Sequence, residues 1–463
     1  MSEPEQPTTS ANEVPCSSIQ SLNKEFAGKP IKIRAFLHTK RDKKRWGFLV
    51  LRQTCYTIQG VVDTQKVTNF KDITIESVVE VFGTLSACPK PVTGCTQSDV
   101  EVSVDSITVI SPAPSQLPIQ VNQLDIVDQS EEGRAKTNPE MLTVQKYRTL
   151  DLRSKANWGI FRIQSGVGRL FREFMYQNDF TEIHTPKICP GKSEGGANCF
   201  ELKYFEQDAT LAQSPQLYKQ MCIAGGFQRV FEVAPAFRAE KMNTPRHLCE
   251  FTSMDFEMEL NSFEELPRFA YSLFVYMFTK LKEQYQPEIE AVRAQFPCQD
   301  LLLPEEPILI DFREGCEMLK AAGIEQNPKE DIGTQQERDL GRLVKEKYKT
   351  DIYCLVGFPT ESRAFYTQPD PACPEYSLSF DVELRGEEIV SGAQRIIDPE
   401  LLLAQMAKKD MVVNNAYVDA FRMGCPRHGG IGIGLERVTM FFLGLDTVKR
   451  AVLFPRTPAP MYF

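Results

Sequence analysis

No run in the 463-residue chain approaches eighteen consecutive apolar residues, so no membrane-spanning helix is expected. The first residues, Met-Ser-Glu-Pro-Glu-Gln-Pro, have neither the basic start nor the apolar core of a secretory signal. They are acidic where an organelle transit segment is rich in arginine, so a cytoplasmic location is expected. The 13 cysteines include no Cys-x-x-Cys pair. That argues against a zinc ribbon or a disulfide framework and for scattered reduced thiols. Internal repeats are also missing. With 42% hydrophobic and 25% charged residues, the chain reads as an ordinary globular protein of two or three domains.

A formal net charge of −9 argues against a nucleic-acid partner until its distribution is considered. Residues 24–111 carry 13 Lys and Arg against 9 Asp and Glu, and five of the six residues 40–45 (Lys-Arg-Asp-Lys-Lys-Arg) are basic. In the same region short β-rich runs recur at Ile31–His38, Trp46–Arg52, Thr57–Val62, Ser77–Leu85 and Val100–Ile110. Five strands in this span predict an OB-fold barrel over 23–112, with the basic run in its first hairpin. Residues 1–22 are polar and predict a disordered tail. Residues 113–140 are rich in proline, serine and charge and predict a hinge. From 141 to 463 helical and β-rich runs alternate, predicting an α+β domain, with amphipathic surface helices at 334–350 and 399–408.

Two segments of that domain carry chemistry. The first, Arg-His-Gly-Gly-Ile-Gly-Ile-Gly-Leu-Glu-Arg-Val (427–438), puts Gly430, Gly432 and Gly434 in one strand, where a ligand can lie on bare backbone. Arg437 then opens a helix with a permanent charge that can stack on a base or fork onto phosphate. The second, residues 231–257, reads as two antiparallel strands around a polar loop. Arg238 and Glu240 leave the first strand, Arg246 and His247 occupy the loop, and Phe251 returns on the second strand with a ring that can stack on a base.

At these residues the chain resembles the class II aminoacyl-tRNA synthetases. The hairpin at about 231–257 looks like their motif 2, and about 430–443 like motif 3. The helix and strand at about 157–186 would be motif 1. Gln-Ser-Pro-Gln-Leu-Tyr-Lys-Gln (213–220) and Ser-Gly-Ala-Gln-Arg (391–395) resemble the aspartyl enzymes of the eukaryotic cytosolic and archaeal type. The resemblance implies an N-terminal all-β OB-fold barrel that binds the anticodon, and a catalytic α+β domain on an antiparallel sheet. It implies ATP-dependent activation of L-aspartate, transfer to tRNA(Asp), and a homodimer built through motif 1. Nothing in the motifs bears on membership of a multisynthetase complex.

Residue by residue, the resemblance makes Arg238 the clamp on substrate carboxylate and α-phosphate. Arg437 would cover adenine opposite Phe251 and reach the γ-phosphate, and Arg246 and His247 would hold the terminal phosphates. Glu240, Ser391 and Gly434 would complete the ATP wall. Asp381 and Glu388 offer hard oxygen ligands for Mg²⁺ on the polyphosphate. Arg395 and Lys219 would grip the aspartate side chain, with Asp255 orienting Lys219 and Ser391 nearby. Glu194 and Gln216 would take the ammonium group. On the barrel, Phe48, Gln59 and Glu101 match the family's anticodon contacts.

Three positions depart from the family pattern: Ile397 where histidine is common, Ser253 for glycine, and Thr457 for aspartate. The remaining alternatives are an enzyme that also charges tRNA(Asn), or an asparaginyl-tRNA synthetase. A small-molecule ligase of the same fold would lack the N-terminal barrel, and a binding-only relative would lack the catalytic arginines.

Overall fold

The structure is a computed structural model that describes residues 14–124, 141–193, 199–411, 415–459 and 461. It has two compact units, Met1–Gly159 and Ile160–Phe463. Among the described residues, no helix is long and apolar enough to cross a membrane. All 13 cysteines are free thiols.

In the first unit five strands close a barrel in the order β1-β2-β3-β5-β4. They are β1 (Pro30–Lys43), β2 (Trp46–Gln53), β3 (Tyr56–Asp63), β4 (Val78–Ala87) and β5 (Gln97–Ser111). Strand β4 pairs back onto β1, which leaves no open edge. Alternation with period two builds the core: Ile31, Ile33, Ala35 and Leu37 of β1 turn inward against Val79, Val81 and Leu85 of β4. The five predicted runs are these five strands.

Strand β1 is longer than its predicted run. Lys40–Lys43 stay extended and pair with β2, so the basic residues form a ridge along a strand end. The turn is made by Lys44, at φ 56, with Arg45. Residues 14–22 also correct the expectation of a disordered tail. Ile19 and Leu22 are buried in the barrel core, and the Ile19 amide donates to Gln53 Oε1 at 2.8 Å. Two apolar anchors dock a segment whose average composition is polar. Part of the predicted hinge is ordered for the same reason, since Ile119, Val121 and Leu124 cluster with Tyr147 and Leu150. Residues 1–13 and 125–140 lie outside the described residues.

The second unit is built on strands β6 (Thr181–Glu182), β7 (Ile188–Cys189), β8 (Glu201–Tyr204), β9 (Gln207–Leu211), β10 (Arg229–Phe237), β11 (Glu250–Glu259), β12 (Leu309–Asp311), β13 (Ile352–Val356), β14 (Ser379–Leu384), β15 (Glu387–Gln394) and β16 (His428–Gly434). Eight form one sheet in the order β12-β13-β14-β15-β16-β11-β10-β6, and β7-β9-β8 form a small second sheet. Pairing is antiparallel from β13 through β10, and parallel only in the outermost pairs, β12–β13 and β10–β6.

The pleat sorts this sheet into two chemistries. Met254, Phe256 and Met258 of β11, Ile431 and Ile433 of β16, and Phe380 and Val382 of β14 share one core with the helices Lys155–Gln177 and Glu265–Gln284. The intervening residues fall on the opposite face: Ser253, Asp255 and Glu257, then Gly430, Gly432 and Gly434, then Asp381 and Glu383. This polar face carries the site.

Candidate active site

A cavity of about 290 Å³ opens on the polar face, over β11, β15 and β16 and beneath the 238–249 loop. Ser214, Gln216, Arg238, Glu240, Arg246, His247, Phe251, Asp255, Glu388, Ser391, Arg395, Gly434 and Arg437 all line it, so the structure brings most of the predicted residues to one place. The predicted motif 2 hairpin is β10 and β11, with nine residue pairs in register from Arg229↔Met258 to Phe237↔Glu250. The Arg238 guanidinium lies 5.4 Å from the centre of the Phe251 ring. Arg437, in the first turn of the helix Leu435–Leu443, reaches the Glu388 carbonyl at 3.5 Å. Burial and then the charges of Arg437, Arg246 and Arg238 outweigh Glu240 and lower the pKa of His247, so its imidazole is neutral near neutral pH.

At one end of the cavity two cations are set in buried carboxylates. Arg395 Nε donates to Glu257 Oε1 at 2.7 Å, and its Nη2 donates to Glu257 Oε2 at 3.2 Å and the Gly430 carbonyl at 2.8 Å. Lys219 donates to Asp255 at 3.0 Å and the Ile431 carbonyl at 2.9 Å, and lies 3.4 Å from Glu257. Burial alone would raise the Glu257 carboxyl. The charges of Arg395 and Lys219 outweigh it and hold it below its ordinary value. Such cations cannot be buried without anionic partners. Lys219 stands behind the cavity, and Arg395 lines it with one edge of its fork committed to Glu257. Its Nη1 makes no hydrogen bond among the described residues.

The glycine strand has a double purpose. Gly432 and Gly434 face the cavity, as expected for a bare backbone wall. At Gly430 a Cβ would sit 2.1 Å from the Phe256 carbonyl and 2.2 Å from Glu257 Oε2, so this glycine makes room for Glu257 and not for a ligand.

The opposite wall is acidic. Glu388 lines the cavity, but both Asp381 oxygens accept from Arg363, at 2.9 and 2.7 Å. Asp381, expected with Glu388 as a metal ligand, is thus a carboxylate shared with a guanidinium. Arg246, expected at the terminal phosphates, lines the cavity and donates to Glu337 at 3.4 Å, Glu387 at 3.3 Å and Thr334 at 2.5 Å. Among the described residues, no group of three or more His, Cys, Asp or Glu could hold a metal ion. Two carboxylates suit a Mg²⁺ that completes its shell with phosphate oxygens and water.

A family model for class II tRNA synthetases of the D, K and N types matches residues 140–458, and one for the OB-fold nucleic acid binding domain matches 31–110. The cytoplasmic aspartate–tRNA ligase of Bos taurus is 45% identical over 451 residues, spanning 95% of this chain and 90% of the relative. The chain belongs to the class II aspartate–tRNA ligase family. Among solved structures, the aspartyl tRNA synthetase from Entamoeba histolytica is 38% identical, with a TM-score of 0.87 over 98% of this chain and 95% of that one. The asparaginyl-tRNA synthetase from Pyrococcus horikoshii, complexed with asparaginyl-adenylate, is 28% identical, with a TM-score of 0.86 over 97% of this chain and 100% of that one.

For this synthetase the remaining expected residues are placed as follows. Glu194 lies outside the described residues. Phe48 is half-buried on β2 and is not part of the barrel core. Gln59 and Glu101 are opposite each other on β3 and β5, and Gln59 Nε2 donates to Glu101 Oε2 at 2.8 Å. Ser253, a departure from the family, donates its hydroxyl to Asp255. Ile397 is exposed, and the Thr457 hydroxyl accepts from the Ala459 amide at 3.3 Å.

Two functional side chains escaped the sequence reading. Glu257 had a signal, since an acid in the apolar run Met-Asp-Phe-Glu-Met must have a partner if that strand is buried. Arg363, in a loop between β13 and β14, had none. Gly430→Ala should destabilise the second unit by about 1–3 kcal/mol, because backbone and Glu257 must both move. Gly434→Ala, whose Cβ would meet only Arg437 Cβ at 3.5 Å, should cost less than about 0.5 kcal/mol. Urea denaturation of both variants checks this contrast, and equal losses would refute the room-making role of Gly430.

Proposed function

We infer that the chain is an aspartate–tRNA ligase acting in cytoplasmic translation. It joins L-aspartate to ATP with release of diphosphate, then passes the aspartyl group to the 3′ end of tRNA(Asp). The observation that carries the choice of amino acid is the end of the cavity formed by Arg395, backed by Lys219, Glu257 and Asp255. The free Nη1 of Arg395 offers N–H donors to a second carboxylate. Asparagine would turn amide donors toward guanidinium donors in a buried pocket, a mismatch of roughly 3 kcal/mol.

In the activation step the α-carboxylate oxygen attacks the α-phosphorus and diphosphate leaves. No protein nucleophile is required, so catalysis lies in alignment and in placing positive charge where negative charge grows. Arg238 bridges the attacking carboxylate and the α-phosphate. Phe251 and Arg437 sandwich the adenine, and Arg437 reaches the γ-phosphate. His247 donates to a terminal phosphate, and Arg246 joins it by exchanging Glu337 and Glu387 for phosphate. Glu240, Ser391 and the Gly434 backbone complete the nucleotide wall, and Glu194 and Gln216 hold the substrate ammonium. Mg²⁺, when bound, supplies charge neutralisation on the polyphosphate, and Glu388 with Asp381 would hold it.

The barrel reads the anticodon. Phe48 offers a face for stacking, Gln59 and Glu101 offer edges for hydrogen bonding, and the Lys40–Arg45 ridge supplies charge for the phosphates. The working form is a homodimer. Its support is the large sheet's edge at β6, only two residues long, where the exposed Tyr176 donates to Glu182. An isologous contact across such an edge closes a two-fold pair.

Arg395→Leu should abolish aspartate activation while ATP affinity stays within about twofold, because the desolvated substrate carboxylate loses its counter-charge. Aspartate-dependent ATP–diphosphate exchange beside ATP calorimetry checks it, with asparagine in parallel. Exchange driven by asparagine in the unmodified chain would overturn the assignment. Phe48→Ala or Gln59→Ala should weaken tRNA charging by about 1–3 kcal/mol and leave exchange unchanged. Equal losses in both assays would mean that these residues support the fold. Sedimentation should give twice the 52.6 kDa chain mass, and a fully active monomer would exclude the dimer.

A further inference from the structure

One buried cation on the cavity wall has no part in the substrate contacts above. Arg363 follows a 3₁₀ turn, Thr360–Ser362, in the loop between β13 and β14. Its two terminal nitrogens grip both Asp381 oxygens at 2.9 and 2.7 Å, and Nη1 also donates to Ser391 Oγ at 2.8 Å. The guanidinium carbon lies 3.6 Å from the centre of the Phe358 ring, which fixes its plane. The side chain is 10% exposed and that of Asp381 8%.

The surroundings of this fork are acidic. Asp331 and Glu388 act on Arg363 electrostatically, and Glu337, Asp381 and Glu388 act on the buried Glu383. Glu383 Oε2 and the Tyr353 hydroxyl, on residues opposite each other in the β13–β14 ladder, have no hydrogen-bond partner among the described residues. A wall of this charge would draw a divalent ion whether or not nucleotide is present. Yet both oxygens of Asp381 already accept from a guanidinium that stays protonated at any working pH.

We propose that Arg363 is a resident counter-cation that keeps Asp381 from taking a divalent ion until ATP brings one, and that holds Asp381 and Ser391 in position for the polyphosphate. The inference rests on assigning this cavity to ATP. A divalent ion alone must displace a two-point charged fork from Asp381. An ion arriving on ATP brings phosphate oxygens of its own, and a share of one Asp381 lone pair completes its shell. Metal loading thereby becomes dependent on nucleotide. Arg363 is a positioning residue here, since it acts through Asp381 and Ser391.

The proposal predicts opposite signs for two measurements on the full-length chain. Arg363→Gln removes the charge, and Arg363→Lys keeps it but loses the fork. In electron paramagnetic resonance titrations without nucleotide, Arg363→Gln should bind Mn²⁺ at least about tenfold tighter than the unmodified chain, with Arg363→Lys between them. In diphosphate exchange both variants should show KM for ATP raised by about tenfold, as Asp381 and Ser391 lose their support. A merely structural role would weaken both properties together. Mn²⁺ binding unchanged or weaker in a variant that retains its thermal midpoint overturns the proposal, and Arg363→Lys decides it if Arg363→Gln does not fold. Absent exchange in the unmodified chain would instead count against the assignment to ATP, and the Mn²⁺ comparison would still test the counter-cation.

Discussion

The catalytic half of the molecule is organised around the burial of two positive charges. Arg395 and Lys219 are both nearly inaccessible, and each is held there by Glu257, with Asp255 as the second anion. Much of the local sequence follows from that arrangement. Position 430 is glycine because Glu257 needs the space. The Gly430 carbonyl accepts from Arg395 and the Ile431 carbonyl from Lys219. The helix Gln216–Ala224 is fixed to the sheet because Lys219 reaches through to β11. Removing one member would leave an uncompensated buried ion, a cost of about 3–5 kcal/mol, so the set behaves as one unit.

The same pleat that buries Met254 and Phe256 turns Ser253, Asp255 and Glu257 the other way. A sheet of this kind can carry a dense apolar core and a dense polar site on the same strands, separated by one residue. Charge balance differs across the polar face. The Arg395 end pairs two cations with two anions, while the acidic wall sets Arg363 and Arg246 against a larger number of carboxylates.

Much of this was legible in the sequence because it rests on short-range patterns. Alternating runs gave all five barrel strands, and the Phe-Arg-x-Glu hairpin and the glycine strand pointed to β10, β11 and β16. Other features depended on contacts that no local pattern encodes. Ile19 and Leu22 are two apolar residues in a polar stretch, and only the barrel gives them a place to dock. Lys219 finds its partners on two strands distant in sequence, so no local pattern shows how deeply it is buried. The fork between Arg363 and Asp381 joins residues 18 apart through an irregular loop, where neither helical nor strand periodicity applies.

On the barrel, Gln59 and Glu101 are hydrogen-bonded to each other across β3 and β5. Any other group that engages these two atoms must do so by a swap and not an addition, since the existing bond must open for a new one to form. A swap returns little net free energy, because one hydrogen bond is lost for each one gained. The pair therefore has a preset resting state against which every newcomer is measured.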